Sequence, residues 1–386
     1  MTTLHQPASH ATLTDAPTDA PTDADAIALL EAMLRIRSES RDESRLAAFL
    51  VDRMGAFGLN ASIDQVGNAV GVTRGGGSTP VAEIVLLGHM DTVPGVVPVR
   101  REGDLLYGRG AVDAKGPLAA FVVAAATAAM PPGVRLVVIG AVEEETATSR
   151  GARFVATRPR PAACVIGEPS GWDAVTLGYK GRLVVSLELV REGAHTAGAQ
   201  VGVADAAHGW WADVLTRTES INMGRRGAFH TIQARLRAVN TASDGLHDVA
   251  RVEAGFRLPP GVTPDQVEQL CREAADAACP DASLRFSGAE VSHAGDRHTG
   301  LVRAMTNAIR DTGGTPGVKV KTGTCDMNVV APAWGCPIIA YGPGDSSLDH
   351  TPHEHVSVAE YLRSIRVLRT ALERIAADIA TTGNFR

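Results

Sequence analysis

The chain has 386 residues, of which 45% are hydrophobic, 21% are charged and 4% are aromatic, and its formal net charge at pH 7 is -6. This length exceeds what one hydrophobic core usually holds, so two domains are expected. The few aromatic residues and the negative net charge argue against a general nucleic-acid-binding protein, and the lack of a run of about 18 apolar residues argues against a membrane protein.

The first segment, residues 1–25, contains the acidic near-repeat DAPTDAPTDADA and almost no large apolar residue, which predicts a disordered tail. A helix is predicted from residue 25, where Asp25 can cap it and apolar residues recur at helical spacing. A second helix follows, with the capping-box pattern of Ser40 and Glu43 at its start.

Strands and helices then alternate along the chain. Strands are predicted near 61–73 and 83–88, and a helix of small residues over 116–130. This alternation predicts an α/β domain with a mainly parallel sheet over residues 26–177. Residues 294–386 return to that domain and end in an amphipathic helix over 357–378, so the first domain is discontinuous.

Residues 178–293 have a different pattern, which predicts an inserted α+β domain with an antiparallel sheet and helices on one face. Its predicted strands lie at 182–193, 228–240 and 247–258, and its predicted helices at 203–217 and 264–279.

Residues 85–117 carry the first group of side chains that suggests chemistry. The apolar residues before His89 are typical of a buried parallel strand, and ligands in such sheets gather at the carboxyl ends of the strands. Asp91 lies two residues further on, so on extended chain its carboxylate can hydrogen-bond the far ring nitrogen of a metal-bound His89. Asp113 follows in GRGAVDAKG, where glycines let the backbone bend. An ordinary turn histidine is the alternative for this stretch.

Carboxylates also follow two further apolar strands. Glu143, Glu144 and Glu145 directly follow a strand that begins near residue 136, and Glu168 follows the strand in ACVIGEPSG. Adjacent carboxylates repel one another, and a nearby cation would relieve that repulsion; a solvated acidic turn is the alternative.

Three histidines, His350, His353 and His355, lie far downstream in a loop rich in glycine and proline. Histidines and carboxylates without clustered cysteines form a ligand set that suits zinc, cobalt or manganese better than an iron–sulfur cluster or copper(I). The five cysteines are scattered and odd in number, and no signal-peptide pattern is present, so a reducing, cytoplasmic location is expected.

In their order and spacing these motifs resemble the M20 family of metallopeptidases and deacylases over nearly everything after residue 25. The resemblance implies a zinc-peptidase catalytic domain with an inserted lid and dimerisation domain, a homodimer, and two divalent metal ions, Zn2+ or Co2+, that act together in hydrolysing an amide bond. It implies His89 and Glu168 as ligands of one metal, Glu145 and His350 as ligands of the other, and Asp113 as the carboxylate that bridges both.

The resemblance implies further roles near these ligands. Asp91 orients His89, and Glu144 is the general base that takes a proton from water and passes it to the leaving nitrogen. Members of the family also carry a cis peptide bond after the bridging aspartate, here between Asp113 and Ala114. His353 and His355 have no ligand role in the family's pattern.

Four residues outside the metal centre match other positions of the family. His195 corresponds to the lid histidine that reaches the active site of the partner subunit, with a surface turn histidine as the alternative. Arg257, in GFRLPPG, corresponds to an arginine that binds a substrate carboxylate, with a strand-end ion pair as the alternative. Thr324 and Asp326, in TGTCDMN, resemble a loop that lines the substrate pocket and are available for an amino group, with a simple turn as the alternative.

The segments GTCDMN and YGPGDSSLDHTPHEHVSVAEYL look most like the branch of the family that releases lysine or ornithine in amino-group-carrier-protein pathways of lysine and arginine biosynthesis. The implied reaction hydrolyses the amide between the α-nitrogen of a basic amino acid and the side-chain carboxyl of the carrier's terminal glutamate. The alternatives are a deacylase of acetylornithine, acetyl-lysine or succinyl-diaminopimelate, and a carboxypeptidase or dipeptidase. A binding module that has lost its metals is a third class, but no ligand position is substituted.

A small acidic carrier protein is therefore an expected partner. Local cations would steer it to the enzyme, unless they are ordinary solvated surface charges. The cations in question are Lys180, Arg182, Arg225, Arg226, Lys319 and Lys321.

Overall fold

The computed structural model describes residues 20–74, 82–195 and 197–382. The elements before residue 180 are α1 (Asp23–Arg35), α2 (Ser44–Ala56), β1 (Asn60–Ile63), β2 (Ala69–Val72), β3 (Ala82–His89), β4 (Arg100–Glu102), β5 (Leu105–Tyr107), α3 (Lys115–Thr127), β6 (Val134–Ala141), α4 (Arg150–Val155), β7 (Ala163–Ile166) and β8 (Ala174–Tyr179). The next elements are β9 (Gly181–Glu192), α5 (Val203–Asn222), β10 (Gln233–Ser243), β11 (His247–Leu258), α6 (Pro264–Ala278) and β12 (Ser283–Glu290). The last are β13 (His293–Ala294), α7 (Gly300–Asp311), β14 (Gly317–Lys321), α8 (Met327–Trp334), β15 (Ile338–Ala340), β16 (His355–Ser357) and α9 (Val358–Thr382).

The first helix begins earlier than the predicted start at residue 25. Thr22 caps α1 by accepting a hydrogen bond from the backbone N–H of Asp25, and the Asp25 carboxylate accepts one from the backbone N–H of Thr22 at 2.9 Å. The prediction that Asp25 itself is the cap is therefore wrong, because Asp25 is the third helical residue of a capping box. Residues 1–19 of the predicted disordered tail lie outside the described residues.

The second helix is confirmed, but its predicted capping box is wrong. α2 starts at Ser44, and Glu43 precedes it without a side-chain capping bond. The Ser40 hydroxyl instead donates to the Asp91 carboxylate at 2.7 Å, and the Glu43 carboxylate accepts from the backbone N–H of Glu143 at 3.0 Å. Long-range partners at the site displace the local cap that the sequence pattern predicts.

A large mixed sheet forms the centre of the molecule, in the strand order β1-β2-β6-β3-β7-β15-β8-β13, with β14 paired to β8. Its middle is parallel, since β3 pairs in parallel with both β6 and β7, and β7 with β15. The pairs at the β1 end are antiparallel. The predicted parallel arrangement is therefore confirmed for the centre, where the carboxyl ends of four strands lie side by side.

Alternate residues of these strands enter two different cores. Leu86 and its neighbours on one face pack with α1, α2, α3, α7 and α9, whereas Leu87 and its neighbours on the other face pack with α4 and α8. Burial of each such aliphatic side chain contributes roughly 1.5–3 kcal/mol relative to leaving it exposed. Both faces of the central strands are therefore covered, as a parallel sheet requires.

Helix α3 explains how the Asp113 loop is supported. It is apolar and mostly small all round, and it is buried over residues 115–125 between β3 and the helices α1 and α9. A helix without a polar face has to lie inside the protein. The predicted helix behind Asp113 is thus confirmed, and its start is held rigidly at the carboxyl end of the sheet.

A second, four-stranded sheet lies outside the large one, in the antiparallel order β10-β11-β9-β12. Helices α5 and α6 cover one face and form a separate core around Trp210. The other face is polar and largely open, and the edge strand β10 is exposed at every position from 237 to 243. This sheet falls within residues 178–293, but the predicted domain boundaries themselves stay a prediction.

The remaining elements agree with their predictions in kind. α9 continues to Thr382, beyond the predicted end at 378, and β10 begins at Gln233 after a short 3-10 turn. The five cysteines are all buried and free. Among the described residues, no helix has both the length and the apolar character needed to cross a membrane.

Candidate active site

The predicted metal-ligating residues lie together at the carboxyl ends of the central strands. His89 is the last residue of β3, Glu145 follows β6, and Glu168 follows β7. Asp113 precedes α3, and His350 lies in the loop before β16. Residues separated by up to 261 positions in the sequence therefore meet because their strands are neighbours in the sheet.

These five residues form two groups that share one aspartate. In the first, His89 Nε2 lies 3.1 Å from Asp113 Oδ1 and 3.9 Å from Glu168 Oε1. In the second, His350 Nε2 lies 3.0 Å from Asp113 Oδ2 and 3.2 Å from Glu145 Oε1. Within each group the potential ligand atoms all lie within 4.8 Å of one another. Each group offers one imidazole and two carboxylates, a donor set that suits zinc, cobalt or manganese.

Asp91 supports the first group in a slightly different way from the predicted one. His89 Nδ1 lies 2.9 Å from the backbone carbonyl oxygen of Asp91 and 3.4 Å from its carboxylate Oδ1, so the closer contact of the ring is with the main chain. The Asp91 carboxylate accepts hydrogen bonds from the backbone N–H groups of Glu144 and Glu145, at 3.1 and 3.0 Å. Asp91 thus connects the ends of β3 and β6, and it orients the glutamate pair as well as the histidine.

The three adjacent glutamates point in different directions. Glu143 has a positive φ of 60°, and its carboxylate pairs with Arg150 at 2.9 Å and accepts a hydrogen bond from Thr148 at 2.7 Å. Glu145 joins the second ligand group, and Glu144 is half-buried, with Asp326 and Glu168 among the charges that act on it. The structure therefore brings Glu145, not Glu143, to His350, while the role of Glu144 as a base stays a prediction.

The site holds more buried negative charge than its own cations balance. Burial raises the pKa of Glu144 well above its usual value, and burial also raises the pKa of Glu168 to about 8 and that of Asp326 to about 7. Hydrogen bonds with Asp113 and Glu145 raise the pKa of His350 to about 10. Carboxylates crowded in this way favour a bound cation, so the residues fit a divalent metal centre.

The predicted substrate residues lie on the side of the site nearest the four-stranded sheet. Arg257, on β11, donates from Nη1 to the Thr324 hydroxyl at 2.7 Å, and that hydroxyl donates to the backbone carbonyl of Lys180 at 2.8 Å. Asp326 is 3% exposed, and neither of its carboxylate oxygens has a hydrogen-bond partner among the described residues. Burying an ionisable group without a partner is costly, which favours a ligand for Asp326.

His195 is separate from these groups. It is exposed in the loop between β9 and α5, and its Nδ1 accepts a hydrogen bond from the backbone N–H of Ala197 at 3.1 Å. Within the described chain, no hydrogen bond or ion pair joins it to the two ligand groups. Its predicted role across a subunit interface stays a prediction.

The prediction that Lys180 is one of the surface cations is wrong. It is fully buried, and its Nζ donates to the carbonyl oxygen of Ala228 at 2.9 Å and to Gln233 Oε1 at 3.3 Å. Burial lowers its pKa to about 8. Lys180 is therefore structural and cannot attract a partner at the surface.

One buried carboxylate near the site escapes the sequence motifs. Glu354 is fully buried, and its Oε1 accepts from the backbone N–H groups of Gly110, Val112 and Asp113 at 2.9, 2.9 and 3.1 Å. Its other oxygen pairs with Arg109 at 2.7 Å. Glu354 thus holds the loop that presents Asp113, and only its position within the histidine-rich segment could have drawn attention to it.

The Asp113–Ala114 peptide bond is cis, as the resemblance implies.

Comparison with known proteins gives one consistent result. The profile of peptidase family M20/M25/M40 matches residues 85–374. The chain is 47% identical to the [LysW]-lysine hydrolase of Deinococcus radiodurans, over 86% of this chain and 91% of that protein. It is 38% identical to a putative [LysW]-lysine/[LysW]-ornithine hydrolase of Thermococcus kodakarensis, over 85% of each.

Solved structures show the same fold at low sequence identity. An M20 family metallo-carboxypeptidase from Sulfolobus solfataricus superposes with a TM-score of 0.73 at 19% identity, covering 90% of this chain and 98% of that one. A tripeptidase from Staphylococcus aureus superposes with a TM-score of 0.73 at 16% identity, covering 93% and 100%.

Proposed function

The chain belongs to peptidase family M20/M25/M40, and on that premise we propose that it hydrolyses the amide between the α-nitrogen of lysine or ornithine and the terminal glutamate side chain of an amino-group carrier protein. The observation that carries this proposal is the 47% identity to a [LysW]-lysine hydrolase over 86% of the chain. The geometry of the site supports an amide hydrolase, since two imidazole–carboxylate groups converge on one aspartate.

The metal centre is proposed to hold two divalent ions, zinc or cobalt. His89 and Glu168 would hold one, Glu145 and His350 the other, and Asp113 both, which is supported by the way its two oxygens face the two histidines. When bound, such a pair of ions polarises the amide carbonyl and lowers the pKa of water towards neutrality.

Glu144 is proposed to move the proton. Its carboxylate takes a proton from water and passes it to the α-nitrogen of the leaving amino acid. Two observations support this role. Desolvation raises the pKa of Glu144, which favours proton uptake, and the Asp91 carboxylate binds its backbone N–H, which fixes the position of its main chain.

Arg257, Thr324 and Asp326 are proposed to hold the amino acid. The Arg257 guanidinium binds the α-carboxylate, with Thr324 fixing its direction, and the unpartnered Asp326 carboxylate binds the cationic side chain. Asp326 and the anchored arginine match the two opposite charges that a basic amino acid keeps when its α-nitrogen is acylated, namely the cationic side chain and the α-carboxylate.

The active enzyme is proposed to be a homodimer formed through residues 178–293, with 26–177 and 294–386 as the catalytic domain. Edge strand β10 supports this assembly, because a long exposed edge offers unpaired backbone groups to another chain. In the dimer, His195 would reach the partner's site and donate to the oxygen that becomes negative during hydrolysis. A cytoplasmic location is proposed as well, and the five free cysteines support it.

The test compares substrates directly. Purified enzyme with zinc or cobalt is assayed on carrier-linked lysine and carrier-linked ornithine, and on free acetyl-lysine, acetylornithine and succinyl-diaminopimelate. We expect the largest kcat/KM for a carrier-linked substrate. A much larger kcat/KM for a free acyl amino acid would instead assign the protein as a small-molecule deacylase.

A further inference from the structure

Among the residues that the structure describes, two segments join the four-stranded sheet to the large sheet, and they run side by side. The first crossing is Lys180, between β8 and β9, and the second is Val291 with Ser292, between β12 and β13. A Cβ atom at Gly181 would lie 2.3 Å from the carbonyl oxygen of Glu290, so glycine is needed for this close approach. Any movement of the four-stranded sheet relative to the large sheet has to bend the chain at this point.

One side chain from the large-sheet side holds both crossings. Asn328, in the first turn of α8, is 1% exposed. Its Nδ2 donates to the carbonyl oxygen of Val291 at 2.7 Å and to that of Lys180 at 3.2 Å, and its Oδ1 accepts from the backbone N–H of Cys325 at 3.0 Å. A longer bond from Nδ2, at 3.5 Å, reaches the carbonyl oxygen of Tyr179, the residue before Lys180. Together these bonds tie the two crossings to the loop over residues 322–328.

Residues of the four-stranded part also bind the first crossing and the loop beside it. Its Arg257 holds Thr324, and the side chain of Lys180 is bound to the carbonyl oxygen of Ala228 at 2.9 Å. The backbone carbonyl of Lys180 is bound by Thr324 and Asn328. The side chain of Lys180 is thus bound by the four-stranded part, and its backbone carbonyl is bound by the large-sheet part. We call this crossing at Lys180 the pivot.

The loop that holds the pivot also carries Asp326, between Thr324 and Asn328. We propose that Asn328 is a positioning residue that clamps both crossings to this loop, so that the four-stranded sheet pivots over the site while Asp326 keeps its place beside the ligand groups. The part of this inference that concerns substrate rests on the proposed function, because it takes the four-stranded sheet as the lid over a bound amino acid. The clamp itself is independent of substrate.

Two variants test the clamp. Asn328→Ala removes all of these bonds, and Asn328→Asp keeps the acceptor for Cys325 but removes the Nδ2 donor to the crossings. Hydrogen–deuterium exchange of the metal-loaded enzyme is followed in peptides that cover 179–183 and 289–294. Both variants are expected to exchange about tenfold faster than wild type in both peptides, with no change in strand β3.

The chain offers a matched control in Asn222. Its Nδ2 donates to the carbonyl oxygen of Ile232 at 2.9 Å, and its Oδ1 accepts from the backbone N–H of the same residue at 2.6 Å. Asn222 thus clamps backbone in the segment that binds the Lys180 side chain, but its own bonds do not involve the backbone of the crossings. Asn222→Ala is expected to speed exchange near residue 232 only. The KM is measured on a substrate that the wild type hydrolyses. We expect the KM of the Asn328 variants to be about ten times that of Asn222→Ala, although all variants lose a similar amount of thermal stability. Their metal content should be unchanged.

Unchanged exchange at both crossings in the Asn328 variants would overturn the clamp. So would a KM that rises no further than in Asn222→Ala. If the wild type hydrolyses none of the substrates, the proposed function fails, whereas the exchange experiment still decides whether Asn328 holds the pivot.

Discussion

The carboxyl edge of the large sheet and the open face of the four-stranded sheet are both polar, but they are built differently. At the edge, His89 and Glu168 are 2% and 7% exposed; His89 ends β3 and Glu168 follows β7, and both strands are buried on both faces near these residues. On the four-stranded sheet, β10 is exposed along most of its length and His195 lies in an exposed loop. Both candidate ligand groups at the edge come from one chain, whereas the four-stranded sheet has its edge strand and its histidine exposed to solvent.

The two regions also differ in how their charges are compensated. At the edge, burial raises the pKa of Glu168 to about 8, so the carboxylates there need a cation. On the open face, charges pair at the surface, as Arg251 and Glu188 do at 2.7 Å with 60% and 44% of their side chains exposed. Such exposed pairs contribute about 0–1 kcal/mol. Substitutions at the carboxyl edge should therefore change metal binding and the rate of hydrolysis. Substitutions in the four-stranded part should change dimer formation and the association with substrate.

The largest expected effect follows from Asp113→Asn, since both ligand groups share this carboxylate. We expect metal content to fall at both sites and kcat/KM to drop by more than about a thousandfold, because several kcal/mol of transition-state stabilisation are lost. Elemental analysis and kinetics check this. Retention of two metals per chain would show that Asp113 is not shared.

Glu144→Gln should separate chemistry from metal binding at the same edge. Removal of the proton carrier is expected to lower kcat by about 10²–10⁴-fold while both metals remain bound. Glu145→Gln is the matched neighbour and should weaken metal binding instead. The base assignment moves to a neighbour if Glu144→Gln loses metal and the remaining loaded enzyme is active.

His195→Ala tests whether the four-stranded part of one subunit contributes a residue to the active site of the other. We expect kcat to fall about 10²–10³-fold, as for loss of one donor to a developing negative charge. Inactive His195→Ala and Glu144→Gln subunits, mixed in equal amounts, should regain about a quarter of wild-type activity, because the mixed dimer has one intact composite site. Proven subunit exchange without recovered activity would rule out the action across the interface.

Glu354→Ala should have a smaller effect at the edge, because it acts only through the Asp113 loop. Metal affinity is expected to fall about 10–100-fold, as for other residues that orient ligands. Glu354→Gln keeps an acceptor for the three backbone N–H groups and should lose less. Calorimetric metal titration checks both variants, and equal affinities for wild type and Glu354→Ala would contradict the role.

The smallest effect is expected from salt. If a carrier is attracted by exposed cations such as Arg226, KM for the carrier-linked substrate should rise severalfold as salt shortens the screening length from about 10 Å at 0.1 M towards 3 Å at 1 M. The kcat should change little, and so should KM for a free acyl amino acid. A salt-independent KM for the carrier would limit recognition to the terminal glutamate and the amino acid.

The sequence by itself determined the strand ends and the residues that follow them. Buried parallel strands have recognisable apolar runs, and polar residues directly after those runs have to lie at the carboxyl edge of the sheet. For that reason His89, the glutamates 143–145 and Glu168 could be predicted to lie together, and α3 and the four-stranded sheet could be predicted from local periodicity. The choice of Asp113, Glu145 and His350 as further ligands came from the resemblance to the M20 family.

Only the tertiary structure decided which partners compete for a polar side chain. Ser40 and Glu43 fit a helix cap by spacing, but they bind Asp91 and Glu143, which lie 51 and 100 positions away. Lys180 has the charge of a surface cation, but it is buried at the pivot, and Glu354 and Asn328 belong to no local pattern. Hydrogen bonds to backbone groups depend on where loops meet after packing, and periodicity along the chain carries no information about that meeting.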